Sequence, residues 1–303
     1  MTERVGEATE SGTDVDVVLL DGQLVARAQA VISAFDRGVM YGESLFETLK
    51  VFEGAPCLWS RHCDRLLAGC VELGIPLDVQ EVERGVRALL AARPVSHGVL
   101  RVQVTGGVQP GGGRGITAPR EGRRPRMIAG VSETPPLSAA VYETGVRLVS
   151  SRGSPRPLPG LKSGNYLASV VAKAQAEAAD AFECVLVDEG SDAVLEGSFS
   201  NVLAWDGRGI ACPPDERRLP GVTLAVVLEE ASALGIPVSV RPVPMGEALE
   251  SGLLLTGSLL GVCACSSLDG TPLRDSADVA TRLRERLLAR EAAEAARWRS
   301  GGS

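Results

Sequence analysis

The chain has 303 residues, a formal net charge of −7 and a sequence pI near 5.1. With 45% hydrophobic and 23% charged residues, it can build the core of one large domain or two ordinary ones. The acidic balance, without a long basic tract, argues against binding to a nucleic-acid backbone through overall charge.

Cysteine usage and the N-terminus favour a cytoplasmic protein. Seven cysteines without a Cys-x-x-Cys pair, and only two histidines, argue against a structural zinc site. The N-terminus lacks the basic and apolar segments of a signal peptide. The longest apolar run, residues 252–265, is shorter than the roughly 20 residues that cross a bilayer. We therefore expect free thiols in a reducing cytoplasm and no membrane association.

The first half of the chain is predicted to form an α/β domain over residues 14–132, after a polar, disordered lead-in at residues 1–13. Turn residues between apolar segments predict two hairpins, and apolar spacing predicts two helices and two further strands. These elements cover residues 17–20 with 24–26, 45–52 with 57–59, 61–73, 82–92, 99–105 and 127–131.

Two prolines in residues 133–138 favour an extended path, so we place an interdomain linker there. A second domain is expected over residues 139–298, with a short tail at 299–303. Its predicted strands cover residues 146–150, 184–187, 193–195, 202–205, 238–241 and 253–255, and its predicted helices cover 167–178, 219–234 and 279–298.

Lysine is scarce: only Lys50, Lys162 and Lys173 occur among 31 basic residues. A deprotonated lysine amine can condense with an aldehyde, and pyridoxal phosphate (PLP) enzymes combine such a lysine with an acidic group near the pyridine nitrogen. Glu196 is a candidate for that acidic group. Because a GC-rich genome also replaces lysine with arginine, the motifs around Lys162 must decide its role. Lys50 ends a predicted strand and Lys173 lies along a helix, so both are expected to be structural.

Two segments offer backbone amides to a phosphate group. Residues 220–223 open a predicted helix, where unpaired N–H groups and the helix dipole favour an anion. Residues 256–258 combine a strand end with a flexible glycine and two hydroxyls. Arg65 supplies a planar cationic fork suited to phosphate, although a surface ion pair is its alternative role. The glycine-rich residues 105–115 lack the spacing of a nucleotide-binding loop and predict a flexible segment.

Taken in chain order, five motifs resemble the class IV aminotransferases, the fold-type IV PLP enzymes, over about residues 15–270. These motifs occupy residues 36–48, 61–66, 162–167, 196–201 and 219–223. The resemblance implies an α/β (α+β) fold with a small N-terminal α/β domain and a larger C-terminal domain that has a mixed sheet or barrel core. It also implies a homodimer in which Tyr41 and its loop reach the neighbouring subunit's pocket.

The same resemblance assigns roles to individual residues. Lys162 is the implied catalytic residue, which holds PLP covalently and moves the substrate α-proton. Glu196 is implied to pair with the ring nitrogen, and Tyr166 to contact the ring hydroxyl. A carboxylate beside that nitrogen keeps it protonated, so the ring withdraws electrons from the substrate. The implied phosphate ligands are Arg65, Val222, Thr223, Gly257 and Ser258.

The substrate is expected to be a small molecule that resembles an amino acid. Its candidate binding residues are Tyr41, Phe46, Thr48, Arg101 and Arg114. Branched-chain transaminases carry Tyr-x-Arg where this chain has residues 99–101, so the arginine is present and the tyrosine is absent. Residues 164–167 are typical of those transaminases. Thr48 and residues 98–101, 111–115 and 262–265 resemble 4-amino-4-deoxychorismate lyases more closely.

Four hypotheses follow from the sequence, one of which is a PLP enzyme of specialised metabolism that acts on another substrate. The favoured one is a lyase that eliminates pyruvate from 4-amino-4-deoxychorismate to leave 4-aminobenzoate. The second is a transaminase that acts on branched-chain L-amino acids or D-amino acids with 2-oxoglutarate. The third is a non-catalytic binding protein with a PLP fold, against which the presence of both Lys162 and Glu196 counts.

Overall fold

In the computed structural model, which describes residues 16–109, 115–116, 121–153 and 156–301, the chain forms two β-sheets flanked by helices. The first sheet contains β1 (Val17–Leu20), β2 (Gln23–Ala26), β3 (Ser44–Phe52), β4 (Ala55–Pro56), β5 (His97–Thr105) and β6 (Met127–Glu133). Its helices are α1 (Arg37–Tyr41), α2 (Trp59–Leu73) and α3 (Val79–Ala92). The predicted lead-in at residues 1–13 lies outside the described residues.

The first sheet is antiparallel, with the strand order β2-β1-β6-β5-β3-β4. Its first hairpin is confirmed, because Asp21 and Gly22 take positive φ and bring Leu20 opposite Gln23. The second predicted hairpin is wrong in its second strand. Glu53 and Gly54 form a two-residue turn, so β3 pairs with β4 at residues 55–56 and the chain enters α2 where a strand was expected at 57–59.

The second sheet is mixed and curled. Its strands are β7 (Val146–Gly153), β8 (Glu183–Asp188), β9 (Ala193–Gly197), β10 (Asn201–Trp205), β11 (Ile210–Cys212), β12 (Val238–Val240), β13 (Val243–Pro244), β14 (Gly252–Gly257), β15 (Gly261–Leu268) and β16 (Thr271–Pro272). Their order is β12-β11-β10-β14-β15-β7-β8-β9-β13, with β16 beside β15. The pairs β11/β12, β15/β7 and β7/β8 are parallel. The sheet curls, so that β9 and β10 lie close together although they are not paired.

The helices of the second half are α4 (Ala139–Glu143), α5 (Leu167–Ala178), α6 (Val222–Ala233), α7 (Met245–Glu250) and α8 (Ala277–Arg299). The helix α8 contributes residues to two of the hydrophobic clusters. Leu283 and Leu287 pack with α6, whereas Ala295 and Trp298 pack in the core of the first sheet. The predicted α/β class with a mixed second sheet is confirmed, while the domain boundaries stay a prediction. Among the described helices, none combines the length and apolar character that a bilayer crossing requires.

Candidate active site

A cavity of about 750 Å³ is lined by residues from both sheets and contains most of the predicted site. The predicted residues that line it are Phe46, Thr48, Arg65, Arg101, Lys162, Tyr166, Glu196, Val222, Thr223, Gly257 and Ser258. Tyr41 is not among its lining residues, and Arg114 lies outside the described residues. Residues distant in sequence therefore converge on a single cavity.

The backbone around Lys162 is docked on the first residues of β3. The Phe46 amide donates to the Lys162 carbonyl at 3.0 Å, and the Gly164 amide donates to the Ser44 carbonyl at 2.8 Å. A Cβ at position 164 would collide with the Ser44 hydroxyl, which would have to rotate away to make room for it. The first sheet thus fixes the backbone that carries the candidate catalytic lysine.

The Lys162 amine lies among aromatic side chains. Its Nζ donates to the Tyr166 hydroxyl at 3.1 Å and lies 4.6 Å from the centre of the Phe46 ring. Phe46 and Tyr166 meet edge to face, with ring centres 5.0 Å apart. These rings hold the amine in a defined direction within the cavity.

Glu196 is buried beside the cavity and accepts two kinds of donor. Its Oε2 accepts from the Leu219 amide at 3.0 Å, and its Oε1 accepts from Nε of Arg156 at 2.9 Å. Arg156 also lines the cavity and was not predicted from the sequence, because it lies in an irregular, proline-rich segment without periodic signal. Together these contacts fix the plane of the Glu196 carboxylate.

The turn after β9 is held by a second buried carboxylate that the sequence did not reveal. Ser198, Phe199 and Ser200 line the cavity. Glu183 accepts from the amides of Phe199 (2.7 Å) and Ser200 (3.1 Å), and from the hydroxyls of Ser200 (2.8 Å) and Ser198 (3.3 Å). Burial raises the pKa of Glu183 to about 7, although these hydrogen bonds act to lower it.

A phosphate group fits the residues at the start of α6. The N-cap residue Gly221 has no side chain, so it provides no capping acceptor for the first helical amides of α6. The buried hydroxyls of Thr223 and Thr256 have no hydrogen-bond partner in the described part of the chain. Buried hydroxyls without partners are costly, and phosphate oxygens would accept from both hydroxyls and amides.

Arg65 reaches this part of the cavity from α2. Its Nε and Nη2 donate to the Glu47 carboxylate at 2.8 and 2.6 Å, and its Nη1 donates to the Pro220 carbonyl at 2.9 Å. A guanidinium has five N–H groups. Three N–H groups of Arg65 take part in these bonds, so, among the described residues, two N–H groups are left to bind a ligand.

Five cavity-lining residues come from the strands β3 and β5: Ser44, Phe46, Thr48, Arg101 and Gln103. Thr48 is paired with Arg101, and Phe46 with Gln103. The Arg101 guanidinium lies 3.9 Å from the centre of the Phe46 ring and has no carboxylate partner among the described residues. Burial lowers the pKa of Arg101. Gln103 was missed by the sequence analysis, although its position two residues after Arg101 on a strand places both on one face.

Residues 44–268 match the family model described as amino-transferase class IV, which covers well over half of the chain. The chain therefore belongs to the class IV aminotransferase family, and it is a PLP-dependent enzyme of that family. This membership confirms the resemblance drawn from the five sequence motifs. The cavity also fits PLP, because it combines a lysine amine, a buried carboxylate and unpaired phosphate donors.

Similar proteins span three activities. A Methanocaldococcus jannaschii protein, assigned provisionally by its name to the branched-chain-amino-acid aminotransferases, is 29% identical over 89% of this chain and 94% of its own length. The D-alanine aminotransferase of Listeria monocytogenes is 25% identical over 85% of this chain and 89% of its own length. The crystal structure of 4-amino-4-deoxychorismate lyase from Pseudomonas aeruginosa is 33% identical, with a TM-score of 0.80 over 90% of this chain and 98% of that one.

Proposed function

We propose that this enzyme is a 4-amino-4-deoxychorismate lyase. The observation that carries the proposal is the polarity of the cavity wall formed by β3 and β5, where Thr48, Arg101 and Gln103 lie together. A branched aliphatic side chain needs apolar contacts, whereas aminodeoxychorismate carries carboxylates and needs a cation and hydrogen-bond donors. The 33% identity to the lyase from Pseudomonas aeruginosa supports the same choice.

The proposed reaction assigns tasks to Lys162, Arg101 and Thr48. When bound, PLP supplies an electron-withdrawing ring that stabilises negative charge at the substrate carbon bearing the amine. Lys162 removes the proton from that carbon, and Arg101 holds a substrate carboxylate. The bond between the substrate ring and its enolpyruvyl oxygen then breaks, which makes the ring aromatic. The leaving group takes up a proton and becomes pyruvate, and in this proposal the hydroxyl of Thr48, which lines the cavity, passes that proton.

An amino-acid transaminase is the second candidate. The relatives named as branched-chain-amino-acid and D-alanine aminotransferases favour it, as does the typical segment at residues 164–167. In that reaction Lys162 would move the proton without breaking a carbon–oxygen bond, water would cleave the substrate carbon–nitrogen bond, the amino group would stay with the cofactor, and a keto acid would leave the cavity. Arg101 would then bind the α-carboxylate.

Product analysis separates the two reactions. The purified enzyme is incubated with 4-amino-4-deoxychorismate, and separately with L-leucine or D-alanine plus 2-oxoglutarate. We expect pyruvate and 4-aminobenzoate in the first reaction and no glutamate in the others. Glutamate formation alone would overturn the lyase proposal.

The covalent role of Lys162 is tested with Lys173 as the control. We expect Lys162→Ala to lose the yellow absorbance of the PLP-bound protein and its activity. Lys173→Ala should keep both, because Lys173 lies on the outer part of α5 and donates to the Phe182 carbonyl. Absorbance that survives in Lys162→Ala would show that PLP is attached elsewhere or not covalently.

We also propose a homodimer to which Tyr41 contributes across the subunit interface. Tyr41 does not line the cavity of its own protomer, and Val31 and Val39 in the same segment are exposed apolar side chains. Light scattering during size-exclusion chromatography should give the mass of a dimer. A monomer that retains full activity would contradict the shared site.

A further inference from the structure

Glu47 breaks the apolar pattern of β3. Leu45, Leu49 and Val51 lie on the face of the strand that packs in the core with α2, and Glu47 occupies the same face at 2% exposure. A carboxylate at such a position is costly unless charged partners and hydrogen bonds compensate it. An apolar residue would suit the fold alone better, so a function for Glu47 must be sought in its contacts.

Both oxygens of Glu47 accept from side chains of α2. Arg65 donates to the two oxygens, and Nδ1 of His62 lies 2.6 Å from Oε2. An ionised carboxylate only accepts hydrogen bonds, so Nδ1 carries the proton. Burial lowers the pKa of His62, and the neutral ring already provides this donor. The three side chains therefore form one buried cluster with a single ion pair.

We propose that Glu47 and His62 are positioning residues that aim the Arg65 guanidinium at the phosphate of PLP. The inference rests on the proposed role of Arg65 as a phosphate ligand. Glu47, on the first sheet, holds one edge of the guanidinium. The Pro220 carbonyl, two residues before the start of α6, holds Nη1. Arg65, with its two remaining N–H groups, lines the same cavity as Thr223, whose buried hydroxyl has no partner among the described residues.

A positioning role and a purely electrostatic role predict opposite effects of Glu47 on phosphate binding by Arg65. The negative charge of Glu47 offsets the positive charge of Arg65. If Arg65 acted only through its charge, Glu47 would therefore weaken phosphate binding. A positioning role makes Glu47 favourable, because an unanchored arginine side chain must lose several rotamers when it binds. The substitution Glu47→Gln removes the charge and keeps the shape of the side chain, so it separates the positioning role from the electrostatic role.

The test measures how strongly the protein prefers a phosphorylated ligand. Full-length protein freed of cofactor is titrated with PLP and with pyridoxal, which lacks the phosphate. The phosphate preference is the dissociation constant of pyridoxal divided by that of PLP. We expect Glu47→Gln to reduce this ratio by about tenfold or more, as expected for a lost charge-assisted hydrogen bond. The affinity for pyridoxal should stay unchanged, whereas a general loosening of the site would lower the affinity for both ligands.

His62 provides an independent variant. His62→Ala should also reduce the phosphate preference, and His62→Asn should restore part of it, because its amide can donate near the place of Nδ1. If Glu47→Gln does not fold, the two His62 variants make the same test. Glu291→Gln is the matched control, since Glu291 is a buried glutamate that pairs with Lys50 on the far end of β3.

Arg65→Met separates failure of the inference from failure of its premise. If Arg65→Met keeps the phosphate preference, Arg65 is not a phosphate ligand. If Arg65→Met loses the preference but Glu47→Gln and His62→Ala keep it, the positioning role is wrong. A preference that rises in Glu47→Gln would likewise overturn the proposal in favour of simple charge.

Discussion

Two buried glutamates support different walls of the same cavity, and their surroundings have opposite effects. Glu47 faces a guanidinium and an imidazole, whereas Glu183 faces only backbone amides and serine hydroxyls. Burial raises the pKa of both carboxyls, yet Arg65 and His62 bring that of Glu47 down to about 2, while that of Glu183 stays at about 7. A full positive charge offsets the desolvation of a carboxylate, and four neutral donors do not.

The largest effect is expected when Glu47 loses its cation. Arg65→Met should lower the free energy of unfolding by about 3–5 kcal/mol at neutral pH, because it leaves a buried charge without its partner. Urea unfolding of the cofactor-free protein measures this loss. Arg61→Met, on the same helix, is the control: its pair with Glu229 is partly exposed and should contribute less than about 1 kcal/mol. Equal losses in the two variants would contradict the larger contribution that we assign to the buried Arg65–Glu47 pair.

Glu183 should make stability depend on pH around neutrality. Its pKa is raised from 4.5 to about 7, so its contribution to stability is complete below 4.5 and disappears as the pH rises through 7. Glu183→Gln keeps the acceptor for the turn but does not titrate. The stability of wild type relative to this variant should therefore fall by about 3 kcal/mol between pH 4.5 and about pH 8. A relative stability that is constant with pH would show that Glu183 stays ionised.

The contrast between the two glutamates also marks what the sequence could reveal. The motifs proposed to hold the cofactor, such as those around Lys162 and Glu196, were recognisable because their residues lie close together in the chain. Helices and strands with one apolar face were predicted for a similar reason, since their periodicity is local.

Glu47, Glu183 and Arg156 could not be predicted in this way, because their partners lie on other elements. Glu47 is opposed by two residues of α2, and Glu183 supports a turn more than ten residues along the chain. The strand β15 was missed because both of its faces are largely buried, which removes the alternation that identifies a half-exposed strand. The one local hint was Glu47 itself, a charge on the apolar face of β3.

On the acidic side, Glu47 should behave in the opposite way to Glu183. Its pKa is lowered from 4.5 to about 2, so its contribution is complete above 4.5 and is lost as the pH falls through 2. The stability of wild type relative to Glu47→Gln should decrease by about 2 kcal/mol between pH 4.5 and about pH 3. Chemical unfolding at a series of pH values measures both variants. A relative stability that increases as the pH falls would reverse the sign assigned to Glu47.

The smallest predicted effect tests whether the four donors to Glu183 are equivalent. The Ser198 hydroxyl makes the longest bond, 3.3 Å, to an oxygen that also accepts from two amides. The Ser200 hydroxyl bonds the other oxygen at 2.8 Å and is its sole donor among the described residues. Ser198→Ala should therefore cost about 0.5 kcal/mol of unfolding free energy, and Ser200→Ala about 1–2 kcal/mol, because only the second leaves a carboxylate oxygen unsatisfied. Equal losses would mean that water or a rearranged turn replaces the Ser200 bond, so that the Glu183 carboxylate is less isolated from solvent than its burial implies.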